Sequence, residues 1–206
     1  IQVARELAIE IPGEETDVLA EKAKQHNTFI VAQAKAVEPD FPDRFFSVAF
    51  LIDPRGKVIY TRHKTFVWVN EHSLVPHDVW DRWIEKYGCS LDAFYPVADT
   101  EIGRIGALIS MEGAYPENAR GLAMNGAEII YRPTFPGPWA AQPYGSEGWF
   151  ALQNRARALD NTCYVVAPNM GPYFPHPKYE GPGRTDVGHS MIVGYKGEIL
   201  SMAQCG

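Results

Sequence analysis

The stretch Ile105-Gly106-Ala107-Leu108-Ile109-Ser110-Met111-Glu112-Gly113-Ala114-Tyr115-Pro116-Glu117 decides how this chain folds. Its first five residues form a short apolar run of the kind found in a buried strand. Pro116 suits the first turn of a helix, where its missing N–H costs nothing, and Gly126 suits the stop after Asn125. A buried strand that turns sharply into a helix can present a reactive side chain at the bend. Ser110 stands at that bend and is the candidate nucleophile.

Outward from this point, strands and helices interleave. Apolar residues at helical spacing, among them Val18, Leu19 and Ala23, predict a helix over 14–25, with Gly13 before it and Asn27 after it. Strands are predicted over 28–34 and 45–52. The turn Asp53-Pro54-Arg55-Gly56, with proline second and glycine fourth, returns the chain as a hairpin partner over 57–61. Residues 65–93 read as an irregular loop containing Trp68, Trp80 and Trp83, and loops of such length are often functional. Further strands are predicted over 94–98 and 104–109 around a turn at 100–103, then over 127–131 and 163–167. A hairpin over 189–195 and 198–202 closes the series. A helix from about Ser146 to near Asn161 lies between Pro/Gly-rich loops at 133–145 and 173–188. No repeat and no linker interrupts the pattern, so a single layered α/β domain over 1–206 is expected.

Composition narrows the function classes. With 206 residues, 46% of them hydrophobic, the chain can bury one sizeable core. Charged residues make up 21%, and the net charge is -6. No Lys/Arg block stands out, which argues against nucleic acid or an anionic membrane surface as partner. No apolar run approaches the roughly 18 residues of a membrane span, and no signal peptide opens the chain. The three cysteines, Cys89, Cys163 and Cys205, follow no disulfide spacing, so a reducing, cytoplasmic setting is expected. The chain opens at Ile1 and stops at Cys205-Gly206 directly after a strand-like segment, as a domain incomplete at both ends would.

Four blocks carry a resemblance. They are Ile11-Pro12-Gly13-Glu14-Glu15-Thr16; Tyr60-Thr61-Arg62-His63-Lys64 with Trp68 beyond; Ser110 to Glu117 with Arg120 and Asn125-Gly126-Ala127-Glu128; and Asn161 to Ala167 with Gly188-His189-Ser190. Spread in order over nearly the whole chain, they resemble the nitrilase superfamily of carbon-nitrogen hydrolases, closest to its aliphatic amidase and formamidase branch. The resemblance implies a four-layer α-β-β-α sandwich, and dimers or larger homo-oligomers built through the helices after Pro116 and after Ser146. It implies hydrolysis of a small amide or nitrile, with no metal and no organic cofactor.

In that family a nucleophile attacks the amide carbonyl, ammonia leaves, and water hydrolyses the acyl-enzyme. A base moves the proton, and a lysine with a backbone N–H stabilises the oxyanion. On the matching positions, the resemblance implies Lys64 as the lysine and the Met111 backbone N–H as its partner. Glu71 is the expected second glutamate, which positions the lysine and substrate, with Glu85 as the alternative. Trp68 is the expected pocket wall. Phe135 and Trp139 border the acyl pocket, where their bulk suits a small or flat substrate. Ser110 occupies the place of the family's cysteine. A thiol, with a pKa near 8.5, ionises readily beside a cation. A serine hydroxyl needs a stronger base, usually histidine. Three readings follow: a hydrolase whose cysteine was replaced by serine, a natural branch that uses serine, or a non-catalytic binding or assembly protein. The family's base glutamate is expected upstream of residue 1, because Glu6 and Glu10 lie too close to the Ile11 block. The opening strand is expected there too, which would leave a sheet edge uncovered.

The remaining candidates read as structural. Glu112 is expected to pair with Arg132 or Arg120, and Glu117 to sit in a first helical turn where the dipole favours it. Cys163 opens an apolar strand and reads as a small buried hydrophobe. His189 before Ser190 invites a Ser/His reading, but the same Gly-His-Ser in the family looks structural. His72 and His77 share no metal-ligand spacing with other His or Cys.

Overall fold

Strand β2, Phe46–Ile52, is buried at every residue, so both of its faces need cover. In the computed structural model, which describes residues 6–41, 44–68, 71–134, 148–171 and 188–204, a helix layer covers one face and a second sheet the other. β2 is the centre of a three-stranded antiparallel sheet between β1, Ile30–Ala36, and β3, Val58–His63. Ala49 opposes Gln33 on one side and Arg62 on the other. Phe50 and Ile52 face outward onto Ala20 and Ala23 of α1, Glu14–His26, while Phe46 and Val48 meet Trp83 of α2, Trp80–Tyr87. Ala49 and Leu51 face inward, with Tyr60, onto the second sheet.

That sheet has six strands in sequence order: β4 Ala98–Thr100, β5 Gly103–Ala107, β6 Ile129–Tyr131, β7 Tyr164–Ala167, β8 Met191–Val193 and β9 Ile199–Met202. The β5-β6 and β6-β7 pairs are parallel, and the outer pairs are antiparallel. The parallel pairs arise because helix α3, Pro116–Met124, and helix α4, Gly148–Asn161, cross between strands on the outer face. Ala119 and Leu122 of α3, and Phe150, Ala151 and Ala158 of α4, pack there against Ile130, Val165 and Val193. The order of layers is therefore helix, sheet, sheet, helix, as expected.

Two expectations change. Residues 65–93 are not wholly irregular: α2 and 3-10 turns at Pro76–Val79 and Leu91–Ala93 fall within them. The strand expected over 94–98 forms instead at Ala98–Thr100, because the hairpin turn at Gly103 fixes the register Thr100↔Gly103. The edge of β1 is covered at one end, where Ile9 bridges Ala36 in parallel. No described helix is long and apolar enough to cross a membrane.

Candidate active site

The inner face of the smaller sheet changes character along its strands. Val31, Ala49, Leu51 and Tyr60 are apolar or aromatic and join the core between the sheets. Toward one end the same face carries Gln33, Lys35, Ser47, Arg62 and Lys64, as strict alternation along β1, β2 and β3 requires. Gln33 Nε2 donates to Ser47 Oγ at 2.9 Å, and the Lys64 N–H donates to the Ser47 carbonyl at 2.9 Å. Polar groups thus collect where the strands end, within reach of the loops.

Lys64 is buried, and its ammonium meets Glu71 Oε2 at 2.5 Å. The other carboxylate oxygen accepts from Lys35 Nζ at 2.5 Å and from Ser73 Oγ at 2.8 Å. Burial alone would raise the Glu71 pKa, but the charges of Lys64 and Lys35 outweigh it and hold the group at about 2. Glu71 is therefore a fixed anion between two cations, and the trio carries a net positive charge. The Glu71 N–H donates to the Trp68 carbonyl at 2.8 Å, which places Trp68, partly exposed, beside this group. Glu85 lies exposed on α2, and Glu71 is the glutamate that meets Lys64.

Ser110 opens a 3-10 turn, Ser110–Ala114, directly after the apolar run. Its φ is 53°, in the left-handed region that costs an L-residue about 1–2 kcal/mol. Contacts on both sides hold it there. Its N–H donates to the Pro133 carbonyl at 2.8 Å, and its carbonyl accepts from Arg132 Nε at 3.1 Å. Among the described residues no group hydrogen-bonds its hydroxyl, and the Met111 N–H has no acceptor.

Glu112 joins these two regions. Its side chain is fully buried and accepts both guanidinium arms of Arg62, at 2.6 and 2.9 Å. It also accepts the Thr65 N–H and hydroxyl, at 2.8 and 2.7 Å, and the Ile109 N–H at 2.7 Å. One carboxylate therefore binds the residue after Lys64 and the residue before Ser110. Phe66 and Tyr115 add a ring contact between the same two loops, with centroids 4.4 Å apart. Burial would raise the pKa of Glu112, but Arg62 and the backbone donors hold it below the usual carboxylate range.

The expected partner of Glu112 is corrected. Neither Arg132 nor Arg120 pairs with it; Arg62 does. Arg120 is exposed on α3, and Arg132 reaches the Ser110 carbonyl, Gln153 and Asn154 instead. Lys35 was not foreseen in the site. The signal for it is the alternation of β1, in which Gln33 and Lys35 share the face of Val31. Phe135 and Trp139 lie outside the described residues. Cys163 is buried, its thiol aimed at the Ala127 carbonyl at 2.9 Å, and burial pushes its pKa up. His189 is exposed, while Ser190 Oγ accepts the Asn169 N–H at 2.9 Å. Among the described residues no group of His, Cys, Asp or Glu could hold a metal ion.

Comparison with known proteins bears on the family and the fold. The family model described as carbon-nitrogen hydrolase matches residues 2–206. The chain is 31% identical over 189 residues to a formamidase from Bacillus thuringiensis (strain Al Hakam) and to one from Bacillus cereus (strain B4264). Each match covers 90% of this chain and 51% of the relative, so the chain spans about half the length of the curated relatives it matches. Two solved structures share the fold. An amidase from Nesterenkonia sp. has a TM-score of 0.68 at 20% identity, covering 93% of this chain and 62% of that one. Saccharomyces cerevisiae Nit3, a member of branch 10 of the nitrilase superfamily, has a TM-score of 0.69 at 20% identity, covering 93% and 61%.

Proposed function

Because this chain belongs to the carbon-nitrogen hydrolase family, we propose that it cleaves a small aliphatic amide to carboxylate and ammonia through an acyl group carried on residue 110. The observation that carries this reading is the Glu112 carboxylate, which fixes the loop of Lys64 against the turn of Ser110. In this reading Ser110 Oγ adds to the amide carbonyl carbon, and the oxygen becomes an oxyanion held by the Lys64 ammonium and the Met111 N–H. The C–N bond then breaks, the hydroxyl proton ends on the departing nitrogen, and water cleaves the ester. Glu71 is poorly basic, held at about 2 by its two lysines, so its role is to orient Lys64 and not to accept the proton. The relatives named formamidase suggest a substrate as small as formamide.

A second reading, amide binding without turnover, is favoured by the side chain at 110 itself. The Lys64 ammonium would stabilise a thiolate or an oxyanion, but neither it nor the buried Arg62 and Arg132 accepts a proton from a hydroxyl. Ammonia release from formamide and acetamide separates the two readings when measured for the unchanged protein, for Ser110→Cys, and for Lys64→Ala in each background. Release by the unchanged protein that Lys64→Ala abolishes supports hydrolysis on serine. Saturable amide binding with release only after Ser110→Cys assigns the second reading. No release from either, above the Lys64→Ala control, sinks the amidase proposal.

A further inference from the structure

Arg132 is completely buried, and no described carboxylate pairs with it. Its guanidinium donates instead to three neutral oxygens: the Ser110 carbonyl at 3.1 Å, Asn154 Oδ1 at 2.7 Å and Gln153 Oε1 at 2.8 Å. It also lies over the Phe150 ring, 5.3 Å from the centroid. An unpaired buried charge costs several kcal/mol unless its surroundings replace water well. Here those surroundings include the peptide that links Ser110 to Met111.

We propose that Arg132 is a positioning residue for the oxyanion-binding peptide: by holding the Ser110 carbonyl, it aims the Met111 N–H into the site and strengthens it as a donor. The inference rests on the reading of Ser110 as the acyl acceptor. Its geometry is simple. In a trans peptide the C=O and N–H point in opposite directions, so fixing the carbonyl on Arg132 turns the N–H the other way. The Met111 N–H is left without an acceptor among the described residues, as the first N–H groups of a helical turn are. A charged donor on the carbonyl also polarises the peptide and makes its N–H a better donor.

The turn has little freedom to escape this hold. Pro133, the residue after Arg132, accepts the Ser110 N–H, so two consecutive residues grip both sides of Ser110. A Cβ at Gly113 would come within 2.0 Å of Arg132 Nε, so the guanidinium lies directly against the turn. A second buried guanidinium, Arg157, donates to the Gly113 carbonyl at 3.1 Å. Burial and the nearby Arg157 lower the Arg132 pKa to about 9, which leaves it charged at neutral pH.

The test pairs a probe of the oxyanion site with one of the peptide itself. Acetaldehyde adds to Ser110 Oγ as a hemiacetal: a C–O bond forms, the carbonyl π bond opens, and the hydroxyl proton passes to the new oxygen, which sits where the oxyanion would. Acetamide reports ground-state binding. Arg132→Met is expected to weaken acetaldehyde by about 10- to 100-fold and acetamide far less. In protein labelled with 15N-methionine, the Met111 amide resonance, assigned through Met111→Leu, is expected to move in Arg132→Met while the exposed Met124 and Met202 stay in place. Gln153→Glu gives the guanidinium a counter-charge in a side chain of the same shape. It should shift Met111 and weaken acetaldehyde in the same sense, by less, and it supplies both readouts if Arg132→Met does not fold. Parallel loss of both ligands, or an unmoved Met111 resonance, overturns the proposal. If the unchanged protein binds neither probe, the amide reading falls by itself, and the Met111 resonance alone decides the role of Arg132.

Discussion

Glu112 fills its hydrogen-bonding capacity with the Arg62 guanidinium of β3 and with donors flanking Lys64 and Ser110. A carboxylate without solvent contact needs this, since each unfilled lone pair in such a place is costly. Removing it leaves the Arg62 guanidinium buried with no anion, because the remaining Arg62 bonds go to the Phe94 carbonyl and the Thr65 hydroxyl. Glu112→Ala is therefore expected to destabilise the fold by about 3–5 kcal/mol, read as a lower urea midpoint. Glu112→Gln should cost less, since it keeps part of the donor set. A loss below about 1 kcal/mol in Glu112→Ala would show that the pair is not the tie between the loops. The sequence made Glu112 legible as structural but not its partner. Arg132 and Arg120 lie near it in the chain, whereas Arg62 is in β3 of the other sheet, and no local spacing announces such a pair. Ser110 itself was legible at its bend, because an apolar run followed by Pro116 at a helix start is a local pattern.

At the scale of elements, legibility followed length and alternation. β2 and β3 were readable because seven and six residues are enough to show a buried run joined by a turn of known chemistry. α2 is legible only faintly: Trp80, Trp83, Ile84 and Tyr87 do fall at the i, i+3, i+4 and i+7 spacing of a helix face, but eight residues make barely two turns, too short a window to stand out from the polar residues around it. Its reason for existing lies in tertiary structure. Trp83, 2% exposed, packs against Phe46, His63, Tyr87 and Phe94, and it seals the outer face of β2. Trp83→Ala should cost about 3–5 kcal/mol in a thermal or urea melt. Trp83→Phe should cost clearly less, because the indole N–H is buried without a partner and its removal relieves an unsatisfied donor. Equal losses in the two variants would mean that the N–H is bonded after all. Lys35 is the matching case in a strand. It falls one residue beyond the strand expected over 28–34, and its place in the site emerges only from the face shared with Val31 and Gln33, which points between the sheets.

For the whole molecule, the response to acid depends on carboxylates held below their ordinary range; among the described residues Asp53 is one, within its own turn, and three others join elements distant in sequence. Glu71 ties β1 to the loop after β3, Glu112 ties the two sheets, and Glu38, after β1, binds His63 of β3 together with Lys86 and Tyr87 of α2. Burial would raise the pKa of Glu38, but the His63 bond and the Lys86 charge hold it at about 2, as Lys64 and Lys35 do for Glu71. A carboxylate whose pKa is lower in the folded state than in the unfolded chain binds fewer protons when folded. Its contribution is complete above the unfolded value, near 4.5, and drains away as pH falls toward 2. The urea midpoint should thus be nearly level from neutral pH down to about 5 and then fall steeply. Glu71→Gln should lower the midpoint at neutral pH and flatten part of that fall, since one of the groups that titrates in the window is gone. Added salt should change the slope only modestly, because Glu112 and Arg62 are out of reach of counter-ions and Glu71 is 15% exposed. A midpoint that stays level from pH 5 to pH 2 would mean that these carboxylates keep ordinary pKa values in the fold. The ties between its layers would then have to be attributed to apolar packing alone.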